Sequence, residues 1–169
     1  DPQRPGFWFL SFCHPHPPLV PLQSYLDLYM DVYIDRPYDG EWSRDVANLP
    51  FALKQIQGKH AHLENAEIRR IRRAFYALCT HIDHQLRVVI GTLREECLLD
   101  DTIILFTSDH GDMLGNHGLW AKRLYYERAA NVPMILVGGR DGRDRRYRQS
   151  DGLRVRAQGP ERAAHRPLG

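Results

Sequence analysis

The spacing of apolar residues in the middle of the chain predicts one long amphipathic helix, from Glu64 to Cys97. Nine apolar positions there are separated by eight steps that cover 29 residues. Their mean spacing is close to the roughly 3.6 residues of an α-helical turn. The positions are Ile68, Ile71, Phe75, Leu78, Ile82, Leu86, Val89, Leu93 and Cys97. Arginines such as Arg69 and Arg72 fall off this stripe, so we expect them on a solvated face.

Short apolar runs predict β-strands on both sides of that helix. The clearest run is Ile103 to Thr107, a second is Val132 to Val137, and a third, at 7–12, is rich in aromatic residues. Weaker patterns predict short helices at 24–30 and 50–57. Strands that alternate with a long helix are typical of an α/β protein with a parallel or mixed sheet.

Two loops that follow predicted strands carry the candidate chemistry. The proline-rich loop 13–18 contains His14 and His16, and the loop after the clearest strand begins with Asp109 and His110. In an open parallel sheet the carboxyl ends of the strands lie at one edge, where ligands bind. If these strands are parallel, we therefore expect the two loops to converge.

Composition sets few limits on function. The 169 residues are 43% hydrophobic and 26% charged, as in an ordinary soluble globular domain, and no apolar run approaches the roughly 18 residues that span a bilayer. The three cysteines form neither a C-x-x-C motif nor a disulfide framework, so we expect buried or incidental thiols. The chain begins with Asp1 and resembles an internal piece, which leaves a cytoplasmic or a periplasmic or secreted location open.

The charge divides the chain into residues 1–139 and residues 140–169. The second part holds nine arginines and four acids, a charge of +5, which leaves 14 basic and 17 acidic residues, or −3, for the first. The tail has too few apolar residues to offset its ordering entropy, so we expect disorder. An out-of-frame gene end is an alternative, and a nucleic-acid-binding arm is less favoured because no aromatic platform accompanies the arginines.

Asp109 and His110 are the strongest candidates for a metal site, because carboxylate and neutral imidazole both ligate divalent cations. A bare Asp-His pair is otherwise a turn former beside a surface histidine. The preceding strand and the following glycine-punctuated loop favour the metal site here. Lys122, near the end of that loop, carries a compact charge suited to an anionic group.

The same residues resemble a known family. Ser108-Asp109-His110-Gly111, then Leu114-Gly115-Asn116-His117-Gly118 and Trp120-Ala121-Lys122, are similar to the C-terminal metal-and-anion segment of type I sulfatases in the alkaline phosphatase superfamily. Bacterial choline-sulfatases, arylsulfatases and phosphonate monoester hydrolases are the most similar types. The resemblance implies an α/β fold, part of an alkaline-phosphatase-like sandwich with a mostly parallel central sheet flanked by helices. Residues 1–139 would be a partial catalytic domain that lacks its N-terminal nucleophile segment.

The resemblance also implies residue roles. Asp109 and His110 would be metal ligands for a divalent cation, expected to be calcium, with manganese and zinc as alternatives. Lys122 would be catalytic and bind the sulfate group, and His16 would bind it and assist the leaving oxygen. His14 is a secondary substrate-binding candidate. His117 would either line the substrate pocket or hold its loop by a hydrogen bond, and the sequence leaves both interpretations open.

Two family features are absent from the sequence: an N-terminal aspartate pair and the Cys- or Ser-x-Pro-Ser-Arg motif whose first residue becomes the formylglycine nucleophile. We therefore expect a fragment of a sulfuric ester hydrolase, inactive alone, whose parent acts on small-molecule or glycan sulfate esters. The parent's partner would be the formylglycine-generating enzyme. A phosphonate monoester or phosphodiester hydrolase is the first alternative, and a non-catalytic remnant that binds anions or nucleic acid through its basic tail is the second.

Overall fold

The computed structural model describes residues 5–45, 47–57 and 63–138. The predicted tail, 140–169, lies outside the described residues. The helices are α1 (Gln23–Asp27), α2 (Glu41–Arg44), α3 (Phe51–Gln57), α4 (Asn65–Glu95) and α5 (Glu127–Ala130), with 3-10 turns at Leu99–Asp101 and Asn116–Gly118. The strands are β1 (Ile103–Thr107) and β2 (Met134–Gly138). Within the described part, no helix is long and apolar enough to cross a membrane.

The predicted long helix is confirmed as α4. It begins after a capping box in which the Glu64 side chain accepts from the third helical N–H, and the Glu67 side chain accepts from the Glu64 N–H at 3.1 Å. Its apolar face buries Ala77 and Leu78 completely. The expected solvated arginine face is wrong at Arg72, which is only 5% exposed and contacts the loop after β1, and Arg69 and Arg73 are half-buried.

Two of the three predicted strands are confirmed, and they pair antiparallel with Leu105 opposite Leu136. The expected parallel sheet is therefore not formed by the described strands. A parallel pair needs a crossover that is usually helical, whereas residues 108–133 between β1 and β2 contain only the four-residue α5 and a 3-10 turn.

The third predicted strand is wrong. Residues 7–12 form no strand, and the side chains of Phe7, Trp8 and Phe9 are 80% or more exposed. A strand is stabilised by cross-strand pairs, and this run has no pairing partner among the described residues. The expected convergence of the two loops depended on this strand, so it loses its geometric basis. The three cysteines are exposed, which leaves the incidental alternative, although partial burial of the Cys79 thiol raises its pKa to about 11.

A small core lies directly under the loop that follows β1. Met113, Leu119 and Ala129 are nearly fully buried and pack with Ile56, Leu124 and Tyr126. Two of these residues belong to the loop itself, so burying their side chains fixes its path. The loop between Asp109 and Lys122 is thereby a packed part of the fold.

Candidate active site

Asp109 and His110 lie where β1 ends, as predicted. Asp109 Oδ2 is 3.5 Å from His110 Nε2, and the two side chains are 84% and 30% exposed. The Ser108 hydroxyl donates to the His110 carbonyl at 2.8 Å, and the His110 N–H donates to Asp109 Oδ1 at 3.0 Å. These local bonds hold the two side chains on the same side of the turn.

The hydrogen bond of the His110 ring sets its tautomer. Nδ1 lies 2.7 Å from the Gly111 carbonyl, which can only accept, so Nδ1 carries the proton and donates. Nε2 is then the ring nitrogen that faces Asp109 Oδ2. Histidines that ligate metals typically donate their second N–H in this way. Two ligand atoms at right angles around one cation lie about 3 Å apart, so the observed separation needs only a small adjustment.

The surroundings of Asp109 favour its charged form. Desolvation, the largest single influence, acts to raise the pKa of this carboxyl group. It is outweighed by the His110 imidazole, the backbone N–H groups of Asp109 and His110, and the Lys122 ammonium, so the pKa lies below its usual value. Asp109 is therefore ionised at neutral pH, as a metal ligand must be.

Lys122 lies at the far end of a loop that Asp112 closes. Asp112 Oδ1 accepts from the Leu114 N–H at 2.9 Å and from the Ala121 N–H at 3.1 Å. The Met113 N–H donates to the Ala121 carbonyl at 2.9 Å. Lys122 is exposed, and its ammonium is near enough to stabilise the Asp109 carboxylate. The loop therefore brings the predicted anion-binding cation close to the predicted metal pair.

His117 holds its loop against residues 38–42. The Gly40 N–H donates to His117 Nδ1 at 3.0 Å, and the His117 N–H donates to the Tyr38 carbonyl at 2.8 Å. The imidazole stacks on Trp42 with ring centroids 4.9 Å apart and packs on Tyr126 at 5.4 Å. Of the two interpretations left open by the sequence, these contacts support the loop-holding one. A role in substrate binding stays a prediction.

The sequence interpretation missed the partners of this contact. Asn116 is only 7% exposed, and its Oδ1 accepts from the Tyr38 N–H at 2.8 Å. Gln57, from α3, donates to the His117 carbonyl at 3.0 Å. Such partners lie far apart in the chain and share no spacing pattern, so only the folded structure reveals them.

His14 and His16 lie on the proline-rich loop, as predicted. His16 is exposed and its Nδ1 lies 2.7 Å from the Pro17 carbonyl. The ring of His14 is 6.0 Å from the ring of His81 on α4. The contacts of these imidazoles within the described part of the chain are with their own loop and with α4, and their roles at the site stay predictions.

Comparison with known proteins identifies the family. The sulfatase family model matches residues 1–154. An arylsulfatase from Clostridium perfringens is 37% identical over 138 residues, which cover 80% of this chain and 28% of that protein. A choline-sulfatase from Rhizobium meliloti is 36% identical over 140 residues, or 82% of this chain and 27% of that protein. This chain belongs to the sulfatase family.

Solved structures agree with the resemblance in the sequence. A phosphonate monoester hydrolase from Silicibacter pomeroyi superimposes with a TM-score of 0.65 at 29% identity, over 73% of this chain and 27% of that one. The chain therefore has the fold of part of these alkaline-phosphatase-like hydrolases. It spans less than a third of the length of the curated relatives above, so the activity of a whole sulfatase is a separate question.

The described part of this sulfatase chain supplies two candidate ligands for a metal. Among residues 5–45, 47–57 and 63–138, no group of three or more histidine, cysteine, aspartate or glutamate side chains is arranged to hold a metal ion. The chemistry of Asp109 and His110 fits a divalent cation, but a closed site needs further ligands.

Proposed function

We propose that a protein containing this chain hydrolyses sulfate esters with the help of a divalent cation. The observation that carries the proposal is the Asp109–His110 pair, in which an ionised carboxylate has its Oδ2 3.5 Å from Nε2 of an imidazole that is held through Nδ1. Calcium is the expected cation because the carboxylate is a hard oxygen ligand, and manganese and zinc are the alternatives because imidazole also suits them.

The chain's own residues would share the work as follows. The cation, when bound, supplies Lewis-acid polarisation of the ester. Lys122 balances negative charge on the sulfuryl oxygens, more strongly as that charge grows in the transition state. His16 delivers a proton to the departing oxygen, provided that other parts of a complete domain bring its loop to the ester.

A nucleophile is the missing part of this scheme. None of the three cysteines begins a Cys-x-Pro-Ser-Arg motif, and the sequence contains no serine version of it. We therefore propose that the chain alone turns over no sulfate ester, and that a complete protein needs the formylglycine-generating enzyme as a partner. Metal-dependent hydrolysis of a sulfate ester by the isolated chain would overturn this part of the proposal.

A mostly parallel central sheet is proposed for the complete domain. The aromatic run 7–12 is exposed, and so are Ile103 and Leu105 on β1. Large apolar side chains are seldom left exposed together, and additional strands and helices of a sandwich would bury them. In a complete protein we expect Trp8 to be shielded from a water-soluble fluorescence quencher, whereas an accessible Trp8 would contradict this architecture.

Metal binding by the isolated chain tests the proposed ligands. We expect calorimetric titration with calcium, manganese and zinc to show weak binding. D109N should lower the affinity by at least about 10- to 100-fold, because the loss of a residue that only hydrogen-bonds a metal ligand already has an effect of this size. D100N is the matched control, because Asp100 is also exposed, comes before β1, and loses the same charge. Equal affinities of D109N and D100N would exclude Asp109 as a ligand.

Anion binding tests Lys122 separately. We expect sulfate to shift the backbone NMR signals of Ala121 and Lys122, and K122M to weaken this binding about tenfold, equivalent to about 1.4 kcal/mol. R123M removes the same charge one position later and should bind sulfate nearly as the original chain does. If both variants bind equally, net charge rather than Lys122 would explain the binding.

The structural likeness to a phosphonate monoester hydrolase supports one alternative substrate class. Phosphonate and sulfate monoesters present similar anionic oxygens to a cation and a lysine. Turnover of matched sulfate, phosphonate and phosphodiester substrates by a complete protein separates these functions. Faster turnover of the phosphonate ester would replace the sulfate proposal.

A non-catalytic remnant that binds nucleic acid through 140–169 is the other alternative. It predicts nucleic-acid binding that weakens with salt and disappears when the tail is deleted.

A further inference from the structure

Arg72 is a buried cation that reaches from α4 to the loop carrying the site. It is 5% exposed, and its Nη1 donates to the Leu114 carbonyl at 3.1 Å. We propose that Arg72 is a positioning residue for Lys122, acting through the Leu114 peptide. This inference rests on the proposed role of Lys122 in anion binding.

The conformation of Leu114 explains why the contact matters. Leu114 has φ 46° and Gly115 has φ 88°, and the Asn116 N–H donates to the Met113 carbonyl at 2.9 Å. Two successive left-handed residues inside such a bond are typical of a type I′ turn, whose first central position favours Asn, Asp or Gly. Leucine has no polar side chain to stabilise this conformation, so the stabilising contacts must come from elsewhere.

Two side chains hold the Leu114 residue from opposite ends. Asp112 Oδ1 accepts its N–H, and Arg72 donates to its carbonyl. The same Asp112 oxygen accepts the Ala121 N–H at 3.1 Å, and Ala121 is itself left-handed, with φ 62°. The Leu114 N–H and carbonyl belong to neighbouring peptide units that meet at the Leu114 Cα, so a change in the Leu114 backbone angles would disturb the Asp112 bond and, through the shared oxygen, release Ala121. Lys122 is the next residue, so its position depends on this chain of bonds.

The Arg72 guanidinium is itself fixed. Its Nη2 donates to Asp35 Oδ1 at 3.0 Å and to the Tyr76 hydroxyl at 3.0 Å, and its central carbon lies 5.9 Å from the Tyr76 ring centroid. A planar guanidinium with two anchored N–H groups has little freedom at the third. Because α4 is a long helix, the position of Nη1 is set by a rigid element.

A competing explanation is that Arg72 attracts the anion directly by its charge. The variant D35N separates the two ideas because it removes a negative charge beside Arg72, while the asparagine Oδ1 can still accept the Nη2 hydrogen bond that helps to fix the guanidinium. A charge effect predicts tighter sulfate binding by D35N. A positioning effect predicts affinity within about twofold of the original chain, a difference of about 0.4 kcal/mol.

The test is a sulfate titration of the 169-residue chain, with hydrogen exchange measured on the same variants. We expect R72M to bind sulfate about tenfold more weakly, or about 1.4 kcal/mol, and to exchange the Ala121 amide about tenfold faster without sulfate. R72K, which keeps the charge but cannot serve all three partners, should lie between R72M and the original chain, and it serves if R72M does not fold.

The outcomes separate the inference from the proposed function. If the original chain and K122M bind sulfate equally, the role of Lys122 fails and the positioning role fails with it. If the original chain binds through Lys122 but R72K and every folded R72M sample bind equally well, only the positioning role of Arg72 is overturned. Tighter binding by D35N would also overturn it in favour of the charge effect.

Discussion

Asp112→Ala is the substitution that most directly tests how the site loop is built. One carboxylate oxygen of Asp112 accepts from the Leu114 N–H at 2.9 Å and from the Ala121 N–H at 3.1 Å. Alanine removes both bonds and leaves two backbone donors in a half-buried loop. We expect the loop to loosen at both positions at once.

The magnitude follows from the kind of bond lost. A hydrogen bond to a charged group contributes about 1.5–3 kcal/mol, and the two bonds share one oxygen, so they do not add fully. The loop is half-buried, and water can partly satisfy the freed N–H groups. We therefore expect the free energy of unfolding to fall by about 2 kcal/mol, which lowers the melting temperature by about 4–8 °C in a domain of this size.

The assay compares D112A with D112N by urea and thermal unfolding. The asparagine amide oxygen can accept the same two N–H groups without the negative charge, so its loss should be about 1 kcal/mol or less. Sulfate affinity should follow the same order, because Ala121 directly precedes Lys122. The reasoning is refuted if D112A unfolds within about 0.5 kcal/mol of the original chain, the range of ordinary surface substitutions.

The remaining predictions concern Asp109, His117 and α4. The folded pKa of Asp109 is depressed, so its stabilising contribution is present above the unfolded pKa of about 3.9 and is lost as the pH falls through the lower folded value. D109N should therefore weaken the dependence of the melting temperature on pH below about pH 4. The same dependence on pH in D109N and in the original chain would contradict this. H117F keeps an aromatic ring on Trp42 but removes the Nδ1 atom that accepts the Gly40 N–H. The free energy of unfolding should therefore fall by about 1 kcal/mol while tryptophan emission barely shifts, and unchanged stability would argue against the hydrogen bond. L78A should lose about 3 kcal/mol in urea unfolding, whereas V88A, on the exposed side of the same helix, should lose under about 0.5 kcal/mol; similar losses would mean that α4 is not packed as described.

The sequence predicts well those elements whose burial repeats with a regular period. The long helix was predicted from apolar spacing and is confirmed as Asn65–Glu95, and the strand at Ile103–Thr107 is confirmed with the predicted bounds. The second strand begins at Met134, two residues after the predicted start, directly after Pro133, which cannot donate to a sheet. Such elements can be predicted because the side chains that face the core recur at a fixed interval along the chain.

Arg72 and the run at 7–12 show where that reasoning fails. Arg72 is off the apolar stripe, yet it is buried: its Nη1 and Nη2 groups donate to Leu114, Asp35 and Tyr76, while its Nε has no partner among the described residues. The aromatic run has the composition of a buried strand, yet it finds no partner strand among the described residues. Composition reports what a segment could bury, whereas the partner that buries it lies elsewhere in the chain.

The candidate site divides in the same way between local and distant contacts. The bonds of Asp112 span two and nine positions, so the loop between the metal pair and Lys122 is largely determined by its own sequence. The hydrogen bonds from Arg72 to Leu114 and from Gly40 to His117 span 42 and 77 positions. They depend on the packing of α4 and of the segment before it. A chain with only the local contacts would keep the Asp109–His110 pair, but the position of Lys122 would no longer be fixed. Metal affinity and sulfate affinity should therefore separate in R72M, with the first retained and the second weakened about tenfold.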